Sequence, residues 1–122
     1  MNKLIITRHH VGQRFSEVAI HNGTVYLAGQ IAERNPNGYI AEQTAEVLEH
    51  VDRLLAEAGS DKACILQATI YLASMDDYAG MNAVWDAWVA PAAAPPRATV
   101  QAQLAHPDWR VEMVIVAAQR VD

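Results

Sequence analysis

The alternation of apolar and polar positions along the chain predicts six β-strands and two α-helices. Strands are indicated by period-two alternation or short apolar runs, and helices by apolar residues that recur at three- and four-residue spacing. The predicted strands span residues 4–7, 17–20, 25–28, 64–73, 97–104 and 110–118, and the predicted helices span residues 42–58 and 76–89. Asn22-Gly23 predicts a hairpin turn between the second and third strands, because this dipeptide readily adopts positive φ angles. Residues 9–12 are expected to form a less ordered connection.

This order of elements favours an α+β domain in which two helices pack on one face of a mixed or antiparallel sheet. The strand at residues 64–73 is apolar on both faces, which indicates a position in the middle of the sheet. The last strand is also apolar on both faces, except at Glu112. Because two helices cover only one face of such a sheet, the second face is expected to meet another subunit.

Arg97 and Glu112 are charged residues in two strands that are otherwise suited to burial. The alternation from Arg97 to Leu104 separates polar from apolar side chains and indicates a half-buried strand. If the last two strands form a hairpin with its loop centred near residues 104–105, Arg97 lies opposite Glu112 on the same face. The residue pattern alone is equally compatible with a functional site and with a structural salt bridge.

The composition is that of one globular domain spanning residues 1–122, with 52% hydrophobic and 19% charged residues. A formal net charge of -5 disfavours binding to nucleic-acid phosphates. One cysteine permits no internal disulfide, and the N-terminal segment lacks the apolar core of a signal peptide. No apolar run reaches transmembrane length, so we expect a cytoplasmic protein that does not bind membranes.

Several kinds of catalytic site are disfavoured by the motifs of the chain. Five scattered histidines have no metal-ligand spacing, so no metal site is predicted. Motifs for nucleotide cofactors and for a serine nucleophile are also missing. The aromatic stripe of the second helix, with Tyr78, Trp85 and Trp88, is expected to lie in the core. Asn82 beside it is either a site residue or a residue at the helix border, and Gly29 marks either a close backbone approach or a strand end.

Four segments together resemble one known family over nearly the whole chain. They are APPRATVQAQL, RVEMVIVAA, YLAGQ at residues 26–30 and MNAVWDAWV at residues 81–89. These segments look like the RidA/YjgF reactive-imine deaminase family, and the helix segment and YLAGQ are most like its YoaB-type branch. The resemblance implies a chorismate-mutase-like α+β fold with a six-stranded sheet and two helices on one face.

The resemblance also implies a homotrimer with clefts between subunits and no cofactor. Such clefts would hydrolyse 2-imino acids or their enamine tautomers, of the 2-iminopropanoate and 2-iminobutanoate type, to 2-keto acids and ammonia. The arginine that binds the substrate carboxylate in this family falls on Arg97. The acidic residue that handles water or protons falls on Glu112. A guanidinium can hold a carboxylate through two charge-assisted hydrogen bonds and so place the imine carbon near Glu112.

Four further positions match residues that line the cleft in this family. Gly29 matches a backbone position, Asn82 a helical asparagine, and Thr99 a position held by cysteine or threonine. Phe15 departs from the family pattern, because the best-known members carry a tyrosine whose hydroxyl helps to place the substrate. A phenylalanine offers a ring face without a hydrogen bond, which affects substrate preference more than reaction class.

Two other functions are compatible with parts of this pattern. A non-catalytic module that binds small carboxylic acids would use the same arginine and would differ from the enzyme only in turnover. A ribonuclease or translation inhibitor is a label attached to some relatives. The acidic charge and the lack of a catalytic histidine pair argue against that label.

Overall fold

The computed structural model describes residues 5–121 and contains a six-stranded mixed sheet with two helices. The elements are β1 (Thr7–Val11), β2 (Ser16–His21), β3 (Thr24–Leu27), α1 (Ile40–Glu57), β4 (Ile65–Leu72), α2 (Tyr78–Trp88), β5 (Arg97–Gln101) and β6 (Val111–Ala118). The strand order is β1-β2-β3-β6-β4-β5. All neighbouring strands are antiparallel except β4 and β5, which are parallel. The predicted fold class and the interior position of the strand at residues 64–73 are therefore confirmed.

The hairpin of β2 and β3 forms at the predicted dipeptide. Asn22 has a φ of 50° and Gly23 a φ of 79°, and His21 pairs with Thr24 on either side of them. These angles give the turn a twist that matches the right-handed twist of the two strands. The local sequence therefore determines this register.

The first strand differs from its prediction at residues 4–7. Leu4 lies outside the described residues, and regular pairing begins only at Thr7. The segment expected to be a less ordered connection instead contributes His9 and His10 to β1. Pairing with β2 explains the difference, because an antiparallel neighbour can order a polar segment whose own pattern does not indicate a strand.

The predicted hairpin of the last two strands is wrong, because β4 lies between β5 and β6. Helix α2 connects β4 to β5, and a helical crossover is the usual way to join two parallel neighbours. The strand predicted to extend to Leu104 also ends at Gln101. Its half-buried side chains are those of Arg97 and Thr99, whereas the apolar Val100 is exposed on the opposite face.

The sequence explains both ends of α1 and the start of α2. The carboxylate of Glu42 accepts a hydrogen bond from the backbone N–H of Tyr39 at 2.9 Å and so satisfies a free donor before α1. At the other end Gly59 has a φ of 77°, and the N–H of Ser60 donates to the carbonyl of Leu55. The hydroxyl of Ser74 caps a short 3₁₀ turn that leads into α2.

The core lies between the two helices and one face of the sheet. Its largest fully buried apolar side chains are Leu48, Leu54, Leu55, Ile70, Leu72, Met81, Met113 and Ile115. Alternate residues of β6 are only half buried, because they lie on the face that the helices leave uncovered. We call this second surface the open face. Among residues 5–121, no helix is long and apolar enough to cross a membrane.

Gln43 is a fully buried polar residue of α1 that connects two loops. Its amide nitrogen donates to the carbonyls of Pro36, Gly38 and Asp108 at 3.0–3.1 Å. Its amide oxygen accepts a hydrogen bond from the backbone N–H of Arg110 at 2.8 Å. One side chain thus satisfies backbone groups in the turn before α1 and in the loop before β6.

Glu46 lies one turn further along α1 and is only 3% exposed. Its carboxylate accepts hydrogen bonds from the backbone N–H groups of Arg34 and Asn35, from the Asn35 side chain and from His50, at 2.8–2.9 Å. Burial works to raise the pKa of Glu46, but these hydrogen bonds outweigh burial and hold the pKa below its ordinary value. Glu46 is therefore a buried anion whose carboxylate is fully hydrogen-bonded, and it holds the loop before α1 in place.

Candidate functional site

Glu112 lies on the open face of β6 and is packed directly against the backbone of Gly29. Gln30 forms a two-way backbone bridge with Met113, with N···O distances of 2.8 and 3.1 Å, and this bridge brings Gly29 beside Glu112. A Cβ atom added to Gly29 would lie 2.0 Å from Oε2 of Glu112. Of the two readings of Gly29, the close backbone approach is the one observed. Only glycine fits here while the carboxylate keeps its position.

The Glu112 carboxylate has an unusual environment for an acidic side chain. Within residues 5–121 it forms no ion pair, and no side chain donates a hydrogen bond to it. Burial alone raises the pKa of Glu112 above its ordinary value. A half-buried carboxylate with unused acceptor sites can take up a proton from water and return it, which is the requirement for general acid–base chemistry.

An apolar cavity of about 320 Å³ adjoins Glu112. Its lining residues are Phe15, Ala28, Gly29, Ile31, Ala105, Trp109 and Glu112. Phe15 is 61% exposed and lines this cavity. Trp109 was not among the predicted site residues, although a large aromatic side chain in a loop is itself a signal of binding.

Arg97 lies on edge strand β5 and points to the helix side of the sheet. Its guanidinium carbon is 5.3 Å from the ring centroid of Trp85 and 6.0 Å from that of Tyr78. Its Nη2 atom donates a long hydrogen bond of 3.5 Å to the hydroxyl of Tyr78. In the described part of the chain no carboxylate lies within ion-pair distance of Arg97. A half-buried guanidinium without an anion is suited to binding one from solution.

Two polar atoms without partners lie on the surfaces that border Arg97. Oδ1 of Asn82 and Oγ1 of Thr99 are buried and have no hydrogen-bond partner among residues 5–121. Helical spacing places Asn82 between Tyr78 and Trp85 on the same stripe of α2. Thr99 follows Arg97 by two residues and therefore shares its face of β5. Buried polar groups are normally satisfied, so these two atoms indicate a place for a polar ligand or water.

The sequence-predicted residues thus form two groups on opposite faces of one sheet. Arg97, Asn82 and Thr99 form the arginine half-site on the helix side, and Glu112, Gly29 and Phe15 form the glutamate half-site on the open face. The register confirms this separation, since Arg97 pairs with Ala68 of β4 while Glu112 pairs with Tyr71. The two backbones are roughly 10 Å apart across the sheet and roughly 10 Å apart along the strands.

The expected register that paired Arg97 with Glu112 is therefore wrong, and a salt bridge between them within one chain is excluded. Strand β4 separates the two residues, and their side chains leave the sheet on opposite sides. One small molecule cannot touch both half-sites of one chain. In the described range, residues 5–121, no group of three or more histidine, cysteine or acidic side chains could hold a metal ion.

Comparisons with known proteins agree on one family. The family model described as Endoribonuclease L-PSP matches residues 6–119. A RutC family protein from Haemophilus ducreyi is 53% identical over 93% of this chain and 97% of its own length. The RutC family protein YoaB from Escherichia coli is 46% identical over 94% and 99% of the two chains. The crystal structure of a YjgF family member from Neisseria meningitidis covers 98% of this chain and 99% of its own, with 50% identity and a TM-score of 0.94.

Proposed function

This chain belongs to the YjgF/Rid family, which also includes the RutC proteins, and we propose that it is a cofactor-independent deaminase. Its substrates would be 2-imino acids and their enamine tautomers, such as 2-iminopropanoate and 2-iminobutanoate. Water would replace the nitrogen at the C=N carbon and release a 2-keto acid and ammonia. The proposal also places the protein in the cytoplasm, in keeping with its one free cysteine.

The state of Arg97 is the observation that carries this proposal. Arg97 is half buried, its guanidinium lies over the ring of Trp85, and no carboxylate of the described chain pairs with it. A substrate carboxylate can accept two parallel N–H bonds from such a group. The unpartnered atoms of Asn82 and Thr99 could then bond to the remaining polar atoms of the same ligand.

Glu112 supplies the proton chemistry in this proposal. A carboxylate whose pKa is raised by burial can accept a proton from water as the oxygen attacks the imine carbon. The same proton then passes to the nitrogen and gives a carbinolamine. A second transfer through Glu112 moves the proton of the carbinolamine hydroxyl to the amino group, so that ammonia leaves as the carbonyl forms. Imine carbons are already electrophilic, so a site with one positioning cation and one acid–base group is chemically sufficient.

The two half-sites lead us to propose that the active site forms between copies of the chain. The arginine half-site of one copy would face the glutamate half-site of another, and both would contact one substrate. The open face carries exposed or half-buried apolar residues of β3, β4 and β6, which a second copy can cover. We propose a homotrimer, as the family resemblance implies.

Light scattering tests the assembly at micromolar concentration. A particle of about three times the chain mass of 13.4 kDa is the expected result. A monomer would contradict both the trimer and any site that requires two copies. The assembly test precedes the activity test, because an active monomer would require a different site.

The activity test generates the imine in place. An amino-acid oxidase converts alanine or 2-aminobutanoate to the imino acid, which also hydrolyses slowly in water. Addition of the chain should accelerate keto-acid release in proportion to its concentration. An unchanged rate with a protein that still binds 2-oxobutanoate would instead support the non-catalytic acid-binding module.

The description of the family model as an endoribonuclease supports a ribonuclease activity, whereas the negative net charge of this chain argues against it. A net charge of -5 offers no general attraction to phosphates. Binding to RNA at low salt is therefore expected to be undetectable. RNA binding that weakens steeply with added salt would revive this function.

A further inference from the structure

The hydroxyl of Tyr78 occupies a position next to Arg97 that the sequence pattern did not indicate. The pattern places Tyr78 in the core, but the residue is 40% exposed and its Oη atom lies 3.5 Å from Nη2 of Arg97. Helix α2 begins at Tyr78, so its side chain lies where the aromatic stripe leaves the core. A tyrosine with this exposure does not need its hydroxyl for packing.

The guanidinium beside this hydroxyl lies near two aromatic rings. Trp85 is only 5% exposed, and its ring lies 5.3 Å from the guanidinium carbon of Arg97. The Trp85 ring and the Tyr78 ring, 6.0 Å away, attract the cation through their faces, while its N–H groups can still donate to a ligand. The Tyr78 hydroxyl lies 3.5 Å from Nη2, so a ligand bound by the guanidinium would be within reach of it.

We propose that Tyr78 is a substrate-binding residue that donates a further hydrogen bond to the carboxylate held by Arg97. A hydroxyl has one donor and two acceptor positions, so accepting from Arg97 leaves its proton free. Accepting from a cation also polarises the O–H bond and makes it a stronger donor. Phe15 has no hydroxyl to offer from the glutamate half-site. This inference rests on the proposed function and adds a determinant of carboxylate recognition to it.

The test compares Tyr78→Phe with Tyr39→Phe, which removes the same oxygen from a strongly exposed tyrosine before α1. Titration with the non-reactive 2-oxobutanoate gives the dissociation constant, and imine hydrolysis gives KM and kcat. In Tyr78→Phe we expect the dissociation constant and KM to rise roughly 10-fold, since a hydrogen bond to a charged group is lost. The value of kcat should stay within about twofold, and the melting temperature should not change. Tyr39→Phe should match the wild type in every measurement.

A Tyr78→Phe protein with the wild-type dissociation constant would overturn the inference. So would a loss of affinity that is accompanied by a lower melting temperature, because that pattern indicates a structural role. If the wild type binds 2-oxobutanoate but never accelerates imine hydrolysis, the deaminase proposal fails while the two dissociation constants still decide the role of Tyr78. If the wild type binds no 2-oxobutanoate, both proposals fail.

Discussion

Glu46 is a fully buried carboxylate and Glu112 a half-buried one, and the two differ in the hydrogen-bond donors around them. Four donors from three residues converge on Glu46, and together they lower its pKa in spite of burial. No donor from residues 5–121 reaches the carboxylate of Glu112, and burial raises its pKa. A satisfied buried anion stabilises the folded chain, whereas an unsatisfied one costs stability and is retained where chemistry requires it.

This contrast separates a structural carboxylate from a candidate catalytic one without reference to any relative. The backbone of Gly29 lies so close to the Glu112 carboxylate that a side chain at residue 29 would collide with it. Glu112 therefore combines a close backbone contact with a carboxylate that receives no hydrogen bond. Burial alone would not distinguish the two residues, since Glu46 is the more buried of the pair. The direction of the pKa shift and the number of donors distinguish them.

The largest effect is expected for Glu112→Gln on turnover. The amide cannot take up a proton from water, so kcat should fall by ~10²- to 10⁴-fold. Binding of 2-oxobutanoate should persist, because Arg97 is unchanged. The oxidase-coupled imine assay measures the loss, with Asp86→Asn on the exposed side of α2 as a matched neutralisation of a surface acid. A Glu112→Gln protein with normal turnover would remove Glu112 from the mechanism.

Glu46→Ala should have its effect on stability. Its removal leaves the half-buried backbone N–H groups of Arg34 and Asn35 without this acceptor, so the free energy of unfolding should fall by roughly 1–3 kcal/mol. Urea denaturation at a fixed protein concentration measures the change, since assembly also contributes to stability. Any protein that still folds should keep its affinity for 2-oxobutanoate. A loss below about 0.5 kcal/mol would show that water replaces the missing carboxylate.

Arg97→Ala should weaken binding of 2-oxobutanoate by ~10- to 100-fold, because two charge-assisted hydrogen bonds are lost. Arg97→Lys should restore little, since an ammonium cannot form the planar pair of bonds. Folding and assembly should persist, because no ion pair of Arg97 is broken in the described chain. Isothermal titration gives the affinities, with Arg8→Ala on edge strand β1 as the control. Normal imine hydrolysis by an assembled Arg97→Ala protein would overturn the assignment.

The smallest effect concerns the pH dependence of stability at Glu112. The pKa of Glu112 is higher in the folded chain than in the unfolded chain. The contribution of this carboxyl group to the stability of the wild type is therefore lost as the pH rises through the folded pKa. Glu112→Gln has no such loss and should be slightly more stable than the wild type at pH 7. The difference should vanish below the ordinary glutamate pKa of about 4.3. Thermal unfolding of both proteins from pH 4 to pH 8 tests this sign, and a less stable variant at pH 7 would contradict it.

The parts of the fold that could be predicted from the sequence are those with local determinants. Asn22 and Gly23 define a turn within four residues, and Gly59 defines the end of a helix through its positive φ angle. The pairing of β5 depended on a partner nearly 30 residues earlier, which its own alternation cannot reveal. Two neighbouring strands with a plausible turn therefore suggested a hairpin that the helical crossover rules out.

The candidate site could be predicted only in part for a related reason. Arg97 and Glu112 were recognisable as charges in apolar strands, but the face that each occupies depends on the strand order. A helical stripe cannot show where the core ends, and so Tyr78 was assigned to the core although it lies at its border. Trp109 was overlooked because a loop has no period that draws attention to one residue. The roles of all these residues stay predictions until activity and binding are measured.

Gln43 has a consequence for how this domain can vary. Its amide bonds at once to the turn before α1 and to the loop that carries Trp109, so each loop must end at a fixed distance from the same buried side chain. An insertion in either loop would pull a backbone group away from the amide and leave it unsatisfied. The two segments, more than sixty residues apart, are therefore expected to change length only together. Homologous loops could be exchanged between relatives as a matched pair more readily than singly.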